Sequence, residues 1–194
     1  DLRKLTPNTE GAALEQWPWP VRIYTLGGLR IEVDGQPLAF GNKTPTKPLE
    51  LLKTLIAMGG QNVKASRLAD RLWPDTEGDD ALGSFKITLR RLRKLLQYEN
   101  ILPLHEGGLS LNQKYCWIDA KAMLQHSNRQ PNTDAPPHSS SKIIRLYKGP
   151  FLGDEDNISA LQFREQLRNI FLQAVSETGK YFESTEQWQK AIHC

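Results

Sequence analysis

The stretch Leu82-Gly-Ser-Phe-Lys-Ile-Thr-Leu-Arg-Arg-Leu-Arg-Lys-Leu-Leu96 decides how this chain is read. At 100° per residue, Leu82, Phe85, Leu89, Leu92 and Leu96 fall within an arc of about 80°, the stripe of a helix packed on a core. The spacing predicts a helix over about 80–97. Its opposite face carries Ser84, Ile87, Arg90, Arg91 and Lys94, with Lys86 and Arg93 on the flank. From 82 to 96 there are five basic side chains and no acid, while Asp75, Glu77, Asp79 and Asp80 gather just before the helix. There they favour the positive end of its dipole. An ordinary solvated face mixes signs to gain i,i+4 pairs, and this one instead sets Lys86/Arg90 and Arg90/Lys94 against each other. Phosphates relieve such repulsion, because counterion release drives nucleic-acid binding. Outward Ile87 suits a thymine methyl, and arginine is the usual reader of guanine O6 and N7. DNA binding is therefore preferred over a merely solvated face.

The flanks agree with that reading. Upstream, Thr46 can cap a helix whose stripe is Pro48, Leu51, Leu52, Leu55 and Ile56, closed by Gly59-Gly60. A shorter helix over about 65–73 turns Leu68, Ala69 and Leu72 inward and stops at Pro74. Before these, Val21-Arg-Ile-Tyr-Thr-Leu26 and Leu29-Arg-Ile-Glu-Val33 read as strands with one buried face. Asp34-Gly35 marks a tight hairpin, and Gln36-Pro-Leu-Ala-Phe40 is the return strand, which Pro37 confines to an edge. Downstream, Ile101-Leu-Pro-Leu-His105 and Leu109-Ser-Leu111 flank Glu106-Gly107-Gly108. Tyr115-Cys-Trp-Ile118 is a further strand, and 120–126 a short helix. Helix, short helix, turn, basic helix and a Gly-tipped β segment follow the order of a winged helix-turn-helix. Ser84 and Ile87 lie in the first half of the third helix, the part that reaches base edges in such docking. Arg90 and Arg91 suit bases or phosphates, and Lys94 suits phosphate. Lys64 and Arg67, at the start of the second helix, and Lys114, after the wing, are the candidate backbone contacts.

Composition bounds the rest. The 194 residues carry 25 basic and 22 acidic side chains, and 39% are hydrophobic. This is a globular balance with room for more than one folded unit. The basic excess is local: residues 21–96 hold 13 basic and 8 acidic side chains, whereas 142–194 hold seven of each. No apolar run approaches the roughly 20 residues of a membrane helix, and no signal peptide opens the chain, so no membrane partner is expected. Two distant cysteines favour a cytoplasmic home over a disulfide framework. Cys116 reads as a buried, inert strand residue. Four scattered histidines offer no metal-ligand spacing, and Asp154-Glu-Asp156 lacks that of a calcium loop. No phosphate-binding Gly-rich loop and no nucleophile–base pair is present, so neither a cofactor nor enzymatic activity is expected. The expected organisation is a connector over 1–19, a winged-helix domain over 20–126, a flexible linker over 127–141 and a helical unit over 142–194. The linker has no large apolar side chain and should bury nothing. In the helical unit a long amphipathic stretch over 158–183 turns Leu161, Leu167, Phe171, Ala174, Val175, Thr178 and Phe182 to one side. A chain that starts without Met and stops inside a helix reads as a fragment.

Four stretches carry a family resemblance: Thr25-Leu-Gly-Gly-Leu-Arg-Ile-Glu-Val-Asp-Gly35, Lys47-Pro-Leu-Glu-Leu-Leu52, Leu68-Ala-Asp-Arg-Leu-Trp-Pro-Asp75 and Leu89-Arg-Arg-Leu-Arg-Lys-Leu-Leu96. Together they resemble the OmpR-type winged helix at the head of bacterial SARP-like activators. Tyr147-Lys-Gly-Pro-Phe-Leu152 and the long helix after it resemble the start of the bacterial transcriptional activation domain, a tetratricopeptide-like array. Trp17-Pro-Trp-Pro20 resembles the lead-in found in large MalT-like regulators, of which this would be a C-terminal piece. The resemblance implies an α+β winged helix-turn-helix with an N-terminal antiparallel sheet, followed by an all-α segment. It also implies a third helix in the major groove of double-stranded DNA, and a second helix and wing on phosphates. The helical array would then meet RNA polymerase or another protein. Lys64 stands where the family often has a Ser or Thr cap. The alternative is a protein-interaction module, with the winged helix as scaffold and the helical segment docking a partner. Salt-sensitive DNA affinity separates the two.

Overall fold

The computed structural model describes residues 15, 17–40, 44–128, 138–155 and 160–193. The alternating N-terminal residues form β1 (Val21–Tyr24) and β2 (Arg30–Val33), paired antiparallel with Val21 opposite Val33. Val21, Ile23, Ile31 and Val33 face the core. Asp34 and Gly35 make the turn into β3 (Gln36–Pro37) with φ of 49° and 78°, the left-handed pair a type I′ hairpin needs. The return strand is thus shorter than its sequence suggests.

Next come α1 (Thr46–Ala57), β4 (Val63–Lys64), α2 (Ala65–Leu72) and α3 (Gly78–Leu96). Thr46 is the first helical residue and not the cap; Pro45 takes that place with no side-chain bond. The chain then enters a hairpin of β5 (Leu104–His105) and β6 (Gly108–Leu109). β4 pairs with β6 to complete a three-stranded wing sheet. β7 (Cys116–Ile118) returns to the first sheet and pairs parallel to β1, giving the order β3-β2-β1-β7. The antiparallel N-terminal sheet therefore gains a fourth, parallel strand from far downstream, and Pro37 lies on an edge strand as expected.

α4 (Asp119–Ser127) begins directly after β7, followed by α5 (His138–Leu146), α6 (Leu161–Ser184) and α7 (Trp188–His193). The Asp119 carboxylate accepts hydrogen bonds from the Thr25 and Leu26 amides, the Thr25 hydroxyl and the Ala120 amide. Burial lifts its pKa above the usual carboxylate value, against the pull of those donors.

Three boundaries read from the sequence are corrected. Trp19 is a core residue, so the fold begins before residue 20 and the 1–19 connector ends earlier; residues 1–14 and 16 lie outside the described residues. The 127–141 linker is trimmed at both ends, because Ser127 closes α4 and α5 starts at His138; residues 129–137 lie outside the described residues. Ser140 is buried and its hydroxyl donates to Glu177 at 2.9 Å, since small side chains let α5 close on α6. On α6, Phe163 faces inward and Leu161 outward. Phe163 meets Phe151 edge-on at 4.9 Å, and the Arg164 guanidinium bonds the carbonyls of Phe151 and Glu155, which fixes that register.

The helical part is joined to the first sheet by backbone contact. Gly27 donates to the Pro150 carbonyl at 2.9 Å, Leu152 donates to Thr25 at 2.7 Å, and Leu26 bridges Phe151. A Cβ on Gly27 would come within 3.0 Å of the Lys148 carbonyl oxygen, and one on Gly149 within 3.0 Å of the Gly27 Cα. Only glycines allow backbones this close.

Candidate nucleic-acid interface

α3 buries Ala81, Phe85, Thr88, Leu89, Leu92 and Leu96. Leu82 and Ser84 are half-buried at the two edges of this stripe. The buried face is turned by about 30° from the one drawn through Leu82, because Ala81 and Thr88 also pack inward. Ile87 is 57% exposed. Lys86, Arg90, Arg91 and Lys94 are exposed around it, so the sequence-assigned outward face is one continuous surface, with Ser84 at its margin. Arg93 does other work. Its Nε and Nη2 donate to the Leu102 carbonyl at 3.1 and 2.6 Å, tying the end of α3 to the chain that enters the wing. Asp79 and Asp80 occupy the first turn, and Gln97 closes the helix in the left-handed region at φ 61°.

A lysine stands at the cap of α2. Lys64 belongs to β4, opposite Gly108 of the wing, and the first helical amide, Ala65, donates to the Gly107 carbonyl at 2.8 Å. A wing carbonyl thus satisfies one of the helix-start amides that have no intrahelical acceptor, a different amide from the second or third one that a serine or threonine cap serves. Lys64 is left exposed beside the wing turn, and Arg67 is exposed one turn along α2. Lys114 is not brought to them. It lies between β6 and β7, its amide donating to Asn112 Oδ1 at 3.0 Å. The adjoining Tyr115 ring contacts Tyr98, just past the end of α3. Sequence reasoning passed over Arg71, which lines a cleft together with Lys64 and Arg67. The i, i+3, i+7 spacing of the three cations was visible in the sequence; the opposite wall of that cleft, supplied by α6, was not.

The other titratable groups belong to the scaffold. Burial pushes the Cys116 thiol up to about 12 and keeps it neutral, as its strand position suggested. Burial lowers the Lys121 pKa, and its Nζ is enclosed with no hydrogen-bond partner among the described residues. Glu155 pairs with Lys53. Among the described residues no group of His, Cys, Asp and Glu could hold a metal ion, and no helix is long and apolar enough to cross a membrane.

No protein-family model and no curated protein matches the sequence. Among solved structures the chain is similar to Mycobacterium tuberculosis EmbR in complex with a low affinity phosphopeptide. The identity is 19% and the TM-score 0.58, covering 90% of this chain and 51% of that one. The chain thus spans about half the length of the structure it matches. The likeness agrees with an α+β winged helix followed by a helical part.

Proposed function

We propose that this chain is a SARP-like transcription regulator. It binds double-stranded DNA with α3 in the major groove, and α2 and the wing on the phosphates. The observation that carries the reading is the outward face of α3 beyond its first turn, where exposed Ile87 is set among Lys86, Arg90, Arg91 and Lys94, with the acids Asp79 and Asp80 confined to the helix start. An apolar contact flanked by guanidinium groups suits base edges, and the surrounding cations suit phosphates. The EmbR-like fold supports a regulator of this type. In this reading the chain acts by binding and not by catalysis, uses no cofactor, and works in the cytoplasm alongside bacterial DNA. The winged helix, from Trp19 through α4, and the helical unit, from α5 onward, divide the labour, the second corresponding to a bacterial transcriptional activation domain. Leu172, Trp188 and Ile192 are all at least half exposed on α6 and α7. They support docking of RNA polymerase or another protein there, and equally the alternative in which docking is the whole function.

Selection of bound sequences from a random duplex pool, followed by affinity measurement across a salt series, tests the proposal. The expected result is an enriched motif and an affinity that falls steeply with salt. Absence of duplex binding, together with salt-insensitive capture of a protein partner, would favour the interaction module.

A further inference from the structure

We infer that the helical part contributes directly to the DNA interface, through the cleft between α2 and α6; the inference rests on the DNA-binding reading and extends it to a second unit. The cleft measures about 560 Å³. Lys64, Arg67 and Arg71 of the α2 region line one wall and Gln162 and Gln166 of α6 the other, with Phe163 between them. The described residues that line it include three cations and no acid. Among the described residues neither Lys64 nor Arg67 has an ion-pair partner. The acid of this part of α6, Glu165, is outside the cleft and pairs with Arg168 at 3.7 Å. Two side-chain amides stand where a carboxylate would repel phosphate, and glutamine is a common donor to phosphate oxygens.

The wall is built into the fold. Phe163 is buried against Phe151, Phe151 bridges Leu26 just after β1, and Arg164 bonds two carbonyls of the 151–155 segment. α6 is therefore held beside α2 by the same contacts that join the two units. The cleft borders the wing as well, since Lys64 pairs with Gly108 and the amide after it bonds Gly107. A DNA backbone resting on α2 and the wing would present phosphates to Gln162 and Gln166. The partner that fits is duplex DNA bound through its backbone, independently of sequence.

The test uses the whole chain and a fluorescein-labelled duplex pool of random sequence, with anisotropy read across a potassium chloride series. Gln166→Lys should tighten binding severalfold and steepen the log–log salt slope by about 0.9, one added phosphate contact. Gln162→Glu combined with Gln166→Glu should weaken binding about fivefold or more on every duplex. Ser176→Lys, exposed farther along α6 and outside the cleft, controls for net charge. Equal gains from Gln166→Lys and Ser176→Lys, or wild-type binding by the double Glu variant, would overturn the inference. The DNA reading itself would still stand if Arg91→Ala weakened binding in the same assay. A wild-type chain that binds no duplex would overturn both.

Discussion

Replacing Asp119 should show how far one carboxylate holds the scaffold together. Its oxygens accept from Thr25 N at 2.8 Å, Thr25 Oγ1 at 2.6 Å, Leu26 N at 3.0 Å and Ala120 N at 2.7 Å, and the residue is only 4% exposed. Asp119→Ala removes every one of these acceptors. A buried donor left unpaired costs about 1–3 kcal/mol. The Ala120 amide sits at a helix start, where amides lack an intrahelical acceptor in any case, so the Thr25 and Leu26 amides set the main penalty. Relief of the buried carboxylate offsets part of it. The net expectation is about 3 kcal/mol, or roughly 6–12 °C in Tm for a chain of this size. Asp119→Asn keeps the volume and one acceptor and should cost about half as much. Because burial raises the folded pKa, the folded chain holds the Asp119 proton to higher pH than the unfolded chain does. This group therefore favours folding most at acid pH, and the contribution is lost as pH rises through the folded pKa; Asp119→Asn should abolish that slope. Thermal and urea unfolding followed by circular dichroism measure these effects. An Asp119→Ala variant melting within about 2 °C of wild type would refute the reasoning.

Three further outcomes are expected. Leu89→Ala, at a position 3% exposed, should cost about 2–5 kcal/mol of stability through the cavity it leaves, read by urea unfolding. Lys121→Met should stabilise the chain by about 1 kcal/mol at neutral pH, since it removes an enclosed ammonium group with no acceptor among the described residues. Wild-type stability should rise as pH climbs from the depressed Lys121 pKa towards the ordinary 10.5, and the variant should lack that rise; a Lys121→Met chain weaker at neutral pH would contradict this. Lys64→Ala and Arg67→Ala should each weaken binding alike on every duplex and lower the salt slope by about 1, whereas unchanged slopes in both would move the phosphate contacts elsewhere.

Elements with strong local signals were legible in the sequence, and those set by distant partners were not. The Asp34-Gly35 turn, the stripes of α1 and α3 and the Gly-tipped wing each follow from periodicity or turn chemistry within a few residues. The parallel pairing of β7 with β1 joins residues almost a hundred positions apart, and nothing local specifies it. The partner of the first α2 amide, the Gly107 carbonyl across the wing, lies more than forty residues downstream. Ser140 looked incapable of burial because a polar stretch says nothing about a helix closing over it. Leu161 and Phe163 are both large and apolar, and only the edge contact with Phe151 decides which faces inward. On the candidate interface, the exposed face of α3 could be drawn from its stripe to within about a third of a helical position. Arg93 could not be assigned in this way, because its partner is a backbone carbonyl.

The most direct test of the central claim measures DNA affinity, base preference and thermal stability together for Ile87→Ala, Arg91→Ala and Leu89→Ala. If the outward face of α3 reads DNA, Arg91→Ala should cost about 1–3 kcal/mol in binding and relax preference at one base pair, with Tm unchanged. Ile87→Ala should weaken binding without unfolding the chain, and Leu89→Ala should lose stability first. Full affinity and unchanged base preference in folded Ile87→Ala and Arg91→Ala variants would contradict the account.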